Sequence, residues 1–524
     1  MTRVMSRWGL LLVVALVGCA RDTRPAAPQP PPLELTLFLT SELKGYLGPC
    51  GCSENMRGGI ARGAFQIDAV RKTGRTVLLL DTGNTFFGQT TIDGDAVAQQ
   101  ERKAKAVAEA LTAMGLTGKA TGPLDDARGA AFRRGLALPE VPSDEVWRVP
   151  LDGQRTLAVV SSAKEATLRE RTASARASGA SFVLGLFEGP IDAALALAQR
   201  DDFDADLLVA TRGKDELAGE TNTLVPLRVP VVQVQSKGRS LVRVDLFLKG
   251  PGRVTWLKSP TETQRELDAL GQRIELLRAQ VNDPSMEEAV LALKKAKLEE
   301  IAARREALAA EPVPVPGEVS AASVRFVPLE TSFPSAADVQ ALVTAYDRAV
   351  GELNVQWAKA NDPRCEAPAA GQARFVGAPA CRSCHAAAFP SWEASKHARA
   401  YPTLVTEGKN HHLDCVACHV TGWKEPGGTC RVDQVAGFDA VGCESCHGAG
   451  SLHAADPQKT NIVRANGARM CVGCHDRENS PHFDLARYLP RVLGPGHGAP
   501  LPPPADAGVP EQKIPTPKKP GQRR

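Results

Sequence analysis

Four pairs of thiols, each closed by an imidazole, are the residues of this chain best equipped for chemistry. Cys381-Arg382-Ser383-Cys384-His385 is followed by Cys415-Val416-Ala417-Cys418-His419, Cys443-Glu444-Ser445-Cys446-His447 and Cys471-Val472-Gly473-Cys474-His475. A single C-x-x-C-H would also suit a redox dithiol or half a zinc site. Four copies that all keep the histidine suit c-type haem attachment. Two thiols bond the porphyrin edge and the next residue coordinates iron. The eight cysteines are therefore candidate attachment residues, and His385, His419, His447 and His475 are candidate proximal ligands of four covalent haems. Roughly 120 residues cannot build an ordinary core around each of four cofactors, so the porphyrins must supply much of the buried apolar surface.

The other imidazoles decide the sixth ligand. All 10 histidines lie between His385 and His497, and removing the proximal four leaves His397, His411, His412, His453, His482 and His497. Met470 abuts Cys471 and is the only methionine of that stretch. Bis-histidine iron, of lower potential than His/Met iron, is expected. His411 and His412 stand only four and three residues before Cys415. Reaching the far face of their own porphyrin would strain that connection, so the second haem is expected to have an open or weakly filled distal face.

The elements that must carry these motifs occupy a chain of 524 residues, long enough for several domains. With 63 basic against 59 acidic residues and 5% aromatics, neither charge nor stacking favours a nucleic-acid partner. At the start, Arg3 and Arg7 precede an apolar run, Leu10 to Val17, that is too short to span a bilayer. The run ends at Leu16-Val17-Gly18-Cys19, which resembles a bacterial lipoprotein signal (residues 1–18) with Cys19 as the acylated residue; an ordinary secretory signal is the alternative. Residues 19–32 are Pro-rich and read as an extended tether. These features predict an exported, lipid-anchored protein facing the periplasm, with the outer membrane favoured over the inner.

Between residues 33 and 250 apolar runs alternate with amphipathic ones. Leu35–Leu39, Val77–Leu80, Leu157–Val160, Phe182–Leu186, Leu207–Val209, Val231–Val234 and Leu241–Leu246 read as strands, and Asp95–Met114 and Ala163–Ala177 as helices. That alternation predicts an α/β unit with covered sheet faces. Residues 262–311 carry helical periodicity broken at Asn282-Asp283-Pro284, with a capping box at Ser285 and Glu288, and predict an antiparallel helical hairpin. A strand and helix over 317–360 lead to the haem region, 375–497, expected to be mostly short helices and loops. The Pro-rich, basic tail 498–524 is expected to be disordered. Cys50, Cys52, Cys365 and Cys430 have disulfides as their default in an exported protein; metal or redox use of the first two, and the pairing of the last two, stay open.

The segments Trp392-Glu393-Ala394-Ser395-Lys396-His397-Ala398, Cys418-His419-Val420-Thr421-Gly422, Gly442-Cys443-Glu444-Ser445-Cys446-His447-Gly448 and Gly450-Ser451-Leu452-His453 resemble the tetrahaem cytochrome c-554 family over residues 375–497. The resemblance implies closely packed haems that relay electrons. It also implies His397, His453 and His497 as distal ligands, and an open haem at the second motif. A second resemblance, over about residues 35–249, is to the metallophosphoesterase domain of periplasmic 5'-nucleotidases. It rests on Gly58-Gly59-Ile60-Ala61-Arg62, Leu80-Asp81-Thr82-Gly83-Asn84 and Val232-Gln233-Val234-Gln235-Ser236-Lys237-Gly238-Arg239. That family clamps two metals with aspartate, asparagine and histidines. Here Glu42 and Lys44 stand at the first Asp/His, Asn84 at the second aspartate, Pro123-Leu124 at an Asn-His pair, and Arg212 and Lys214 at the last His-x-His. The expectation is a fold kept and a phosphoesterase lost. The charges of Lys44, Arg212 and Lys214 should replace the metals beside Asp81 and Glu42, and no metal other than haem iron is expected. Three functions remain in view: an electron-transfer lipoprotein with redox protein partners, a haem enzyme acting on a small nitrogen or oxygen species, and a ligand sensor.

Overall fold

The computed structural model describes residues 32–50, 56–211, 222–257, part of 266–281, 288–310, 319–463, 468–476, 479–480 and 483–497. The signal segment with Cys19, the tether, Cys52, Arg212, Lys214, His482 and the tail lie outside the described residues. Within them, fourteen strands follow in chain order: β1 (Leu33–Thr40), β2 (Pro49–Cys50), β3 (Arg57–Gly58), β4 (Thr76–Asp81), β5 (Gly118–Lys119), β6 (Val146–Pro150), β7 (Thr156–Ser162), β8 (Phe182–Glu188), β9 (Leu207–Thr211), β10 (Thr223–Val225), β11 (Val231–Gln233), β12 (Ser240–Leu248), β13 (Thr255–Trp256) and β14 (Ala321–Pro328).

Two six-stranded sheets result, ordered β13-β14-β12-β1-β4-β5 and β10-β11-β9-β8-β7-β6. They stack face to face because β1 alternates large apolar side chains on both faces. Leu35, Leu37 and Leu39 enter the core shared with Phe182, Leu184, Leu186, Leu157 and Val159 of the second sheet. Phe38 points the other way, into a core with helices α1 (Ile60–Arg71) and α2 (Val97–Ala113). The second sheet is covered on its outer face by α3 (Glu165–Ala177) and α4 (Ile191–Ala198), which bury Leu168, Ala175, Ala194 and Leu197. With both faces covered, the strands read as near-continuous apolar runs rather than alternating ones. Each fully buried leucine contributes about 1.5–3 kcal/mol.

The register of the first sheet fixes a site. β1 and β4 run parallel with Thr40 beside Asp81, and β4 and β5 run parallel with Asp81 beside Lys119. Three side chains able to exchange charge and hydrogen bonds therefore meet at the carboxyl ends of adjacent parallel strands, where open α/β sheets place their ligands.

Helix α5 (Glu288–Ala310) is tied to the helical positions before it. Arg304 pairs with Glu266 at 2.9 Å and Lys294 donates to Gln280 at 2.7 Å. Helix α6 (Ala337–Asn361) joins the two halves of the molecule: Val339, Val343, Tyr346 and Val350 belong to the core under α1 and α2, and Ala358 to a separate small core with Tyr401, Leu404, Val416, Val420, Val432 and Val435. This second core lies among short helices, including α7 (Ala388–Glu393), α8 (Ala400–Thr406), α9 (Leu413–His419), α10 (Cys443–His447) and α11 (Ser451–Ala455). Cys365 and Cys430 form a disulfide across it. Among the described residues no helix is long and apolar enough to cross a membrane.

Candidate functional site

In the C-terminal half the four C-x-x-C-H motifs converge. All eight motif cysteines are free of disulfides. The Cys381 thiol hydrogen-bonds with Cys443, and Cys418 with Cys474. The first motif therefore abuts the third, and the second abuts the fourth. Three loops are held for this by one buried carboxylate. Glu444, inside the third motif, accepts from the backbone N–H groups of Val376, Gly377 and Gly450 at 2.7–2.9 Å. Thr421 does the same from its hydroxyl, donating to the Ala440 carbonyl at 2.7 Å and accepting from Gly442 N–H at 2.8 Å. Gly422 has φ 65, and a Cβ there would stand 2.9 Å from the Phe375 ring.

The imidazoles are set as metal ligands require. Nδ1 of His419 lies 2.6 Å from the Ala400 carbonyl, Nδ1 of His447 3.1 Å from that of Val463, and Nδ1 of His453 3.0 Å from that of Gln458. A carbonyl only accepts, so each Nδ1 carries the proton and each Nε2 presents its lone pair. Nδ1 of His475 meets the Ser480 hydroxyl at 3.0 Å, a partner that donates or accepts. His412 is the reverse. Its Nε2 lies 3.0 Å from the Asp347 carbonyl in a buried site, so the nitrogen that would ligate iron is spent on that bond. Burial, and secondly the neighbouring His475, lower the pKa of His397; burial also lowers that of His475. Both favour the neutral ring that binds metal.

Two imidazole pairs bear on whether haem fits. The rings of His385 and His453 have centroids 6.1 Å apart, and those of His397 and His475 6.2 Å. Packed rings commonly have centres about 4.5–7 Å apart; what the two pairs show is that each sets a proximal imidazole beside a candidate distal one. Two thiols and imidazole donors at each motif are a donor set that fits the group. His497 lies in a segment packed on α7, with its Nδ1 3.3 Å from the Gly494 carbonyl. Among the described residues it makes no ring contact with a proximal histidine, nor do His419 and His447. His411 meets the Asn410 side chain through Nε2 at 3.2 Å.

The strand-end site of the N-terminal unit assembles from three loops. Glu42, Lys44, Asn84 and Lys237 have φ of 55, 50, 54 and 63. Such left-handed backbone costs a non-glycine residue about 1–3 kcal/mol and gathers at functional centres. The loops are stitched by Glu42 N–H to Gly83 O, Lys44 N–H to Asn84 O and Lys237 N–H to Glu42 O, at 2.7–3.0 Å. The Asn84 amide donates to Glu42 at 2.8 Å and accepts from Leu124 N–H at 3.0 Å, and Lys44 stands 3.8 Å from the Glu42 carboxylate. Gly122 is required there, since a Cβ would lie 2.4 Å from Asn84 Oδ1.

Of the expected compensating cations, Lys44 stands beside Glu42, Arg212 and Lys214 lie outside the described residues, and Lys119, which the sequence reading did not include, acts on Asp81. Lys119 forms a 2.8 Å ion pair with Asp125, both buried, and Asp125 also accepts from the N–H groups of Asn84, Thr85, Phe86 and Gly122. Asp81 accepts from the hydroxyls of Thr40 at 2.7 Å and Thr85 at 2.5 Å. Burial pushes its pKa up to about 6, against the pull of Lys119 and the two hydroxyls. Sequence reasoning missed Lys119 because β5 has two residues and no periodicity. Among the described residues no group of three or more His, Cys, Asp or Glu side chains is arranged to hold a metal ion.

The two units touch through this face. Lys103 of α2 pairs at 2.6 Å with Asp414, the neighbour of Cys415; Gln99 accepts from Leu413 N–H at 3.0 Å and from Asn354 at 2.6 Å; Lys424 pairs with Asp95 at 2.7 Å. Lys237 donates to Asn479 at 3.0 Å.

Residues 380–448 match the family of cytochrome c554 and c-prime, and residues 437–480 match the doubled CXXCH motif. The chain is 35% identical to cytochrome c-554 of Nitrosomonas europaea over a stretch covering 17% of this chain and 45% of that protein, so it spans less than half of that relative. Among solved structures it is similar to a sulfate thiohydrolase of Thermus thermophilus (17% identity, 62% of each chain, TM-score 0.40). It is likewise similar to a 5'-nucleotidase precursor of the same organism (15% identity, 66% of this chain and 63% of that one, TM-score 0.37). The C-terminal part of the chain is thus similar to cytochrome c554 and c-prime, and its paired C-x-x-C-H motifs bind haem c covalently.

Proposed function

We propose that this is an exported, lipid-anchored cytochrome carrying four haems, which relays electrons between redox protein partners at the periplasmic side of the envelope. The observation that carries this reading is the pair of imidazole couples, His385 with His453 and His397 with His475, each of which sets a proximal histidine beside a histidine that would serve as its distal ligand. Haem iron with two imidazole ligands supplies one-electron exchange at low potential. The chain's own residues do the positioning: carbonyls fix the tautomers of His419, His447 and His453, and Glu444 clamps the loops between motifs. His497 is the remaining candidate distal ligand. The N-terminal unit serves as scaffold or docking module without phosphoesterase activity, because Lys44, Asn84, Pro123 and Leu124 stand where metal ligands would be needed.

A second reading, a haem enzyme acting on a small nitrogen or oxygen species, is favoured at one place. His419, like His447, makes no ring contact with another imidazole among the described residues, and at the second motif the nearby His412 is also spent, its Nε2 engaged by the Asp347 carbonyl. A redox titration of the purified protein with carbon monoxide present separates the two. One haem in four that is high-spin when ferric and binds the gas when reduced supports an open second haem. Wholly low-spin iron with no gas binding leaves the relay alone.

A further inference from the structure

The face of the N-terminal unit that a phosphoesterase would use is turned toward the second and fourth haem motifs, and one residue there has no role in the relay as described so far. Lys237 is 2% exposed. Its backbone is left-handed at φ 63 and is followed by Gly238 at φ 62, so the chain makes a tight turn that a lysine enters at a cost. Its N–H donates to the Glu42 carbonyl at 2.7 Å, which locks the turn to the strand-end loops. The ammonium lies 4.5 Å from the centre of the Tyr46 ring and donates to Asn479 Oδ1 at 3.0 Å. Lys103 stands over the same ring at 5.5 Å and holds Asp414, next to Cys415. Asn479 in turn bonds Asp476, the residue after the fourth proximal histidine. Lys237 is close enough to the Cys418 sulfur for its charge to act there. Lysine is otherwise almost never fully buried, because desolvating its charge costs several kcal/mol unless partners offset it. Holding one in strained backbone against a haem-attachment segment calls for a reason in that segment.

We propose that Lys237 is a positioning cation supplied by the former phosphoesterase face, which raises the reduction potential of the haem bonded through Cys415 and Cys418. The inference rests on the cytochrome reading above. Its physics is Coulombic. Ferric haem carries one more positive charge than ferrous haem, so a cation held nearby out of water opposes oxidation. Tyr46 and Asn479 fix the ammonium from the two units at once, so the potential depends on the units being docked. Asp476 acts on the Cys418 sulfur with the opposite sign, so removing the lysine charge leaves that carboxylate unopposed there.

The test is potentiometric titration of the full haem-loaded protein, alongside the Lys237→Met and Lys237→Arg variants. The wave of the second haem is identified as the one missing from a Cys415→Ser/Cys418→Ser variant. Lys237→Met should move that wave to lower potential by more than any other, with the fourth haem's the next most affected, and Lys237→Arg should leave it near the parent value. If Lys237→Met does not fold, Asn479→Asp, which sets a carboxylate on the same ammonium, should lower the same wave. Unmoved waves, or all waves moving together as a general loosening would produce, overturn the proposal. A chain without haem refutes the cytochrome reading instead, and a haemochrome assay tells the two failures apart.

Discussion

At the scale of single residues, two groups make checkable claims. Asp81 has its pKa pushed up to about 6 from an ordinary 3.8, chiefly by burial. Between those values the folded chain keeps a proton that the unfolded chain has released, so stability falls as pH rises through that window and stays lower above it. Asp81→Asn cannot ionise and keeps one oxygen to accept from one threonine hydroxyl, while its NH2 donates to the other. Its denaturation midpoint relative to the parent should therefore rise from pH 4 to pH 7.5. An unchanged difference between those pH values would mean that Asp81 is charged in the fold. His453 stands 6.1 Å from His385 with its Nδ1 proton spent on Gln458. His453→Ala should convert one low-spin haem to high-spin, read by the ferric visible and magnetic resonance spectra, while His412→Ala should leave the haem spectra unchanged. The histidine types were legible in the sequence. Which rings meet was not, because partners 68 and 78 residues apart are joined only by tertiary folding.

At the scale of elements, apolar runs announced most of the strands. Leu35–Leu39, Val77–Leu80 and Leu241–Leu246 lie within β1, β4 and β12. Short elements carry no such signal: β5 has two residues and β10 three, and α1 begins on the Gly58-Gly59 pair, whose φ of 103 opens its first turn. The missed β5 held Lys119, so a gap in element reading became a gap in site reading. In the haem region the described α-helices have four to eight residues, too short to be stable alone. Their order comes from clamps such as Glu444, which read in the sequence as one more acidic residue. Glu444→Ala leaves three buried N–H groups unpaired, at about 1–3 kcal/mol each before relaxation. The variant should lower the thermal midpoint of the haem-loaded protein by several degrees; an unchanged midpoint would show that the haems alone order those loops.

At the scale of the whole molecule, α6 binds the two-sheet unit to the haem-bearing unit by entering both cores, and ion pairs from Lys103 and Lys424 close the seam beside it. The strand-end face of the two-sheet unit is turned inward, toward the second motif, where Lys103 meets Asp414 and Lys237 meets Asn479. The two-sheet α/β class and the multihaem segment were legible from runs and motifs. The inward orientation was not, because it depends on Lys103 meeting Asp414 and Lys237 meeting Asn479, pairs 311 and 242 residues apart. The central claim is the cofactor content, and a pyridine haemochrome assay tests it directly on protein made in a cell competent for haem attachment. Four haems per chain, resistant to acid-acetone extraction, is the predicted result; two or fewer would contradict it.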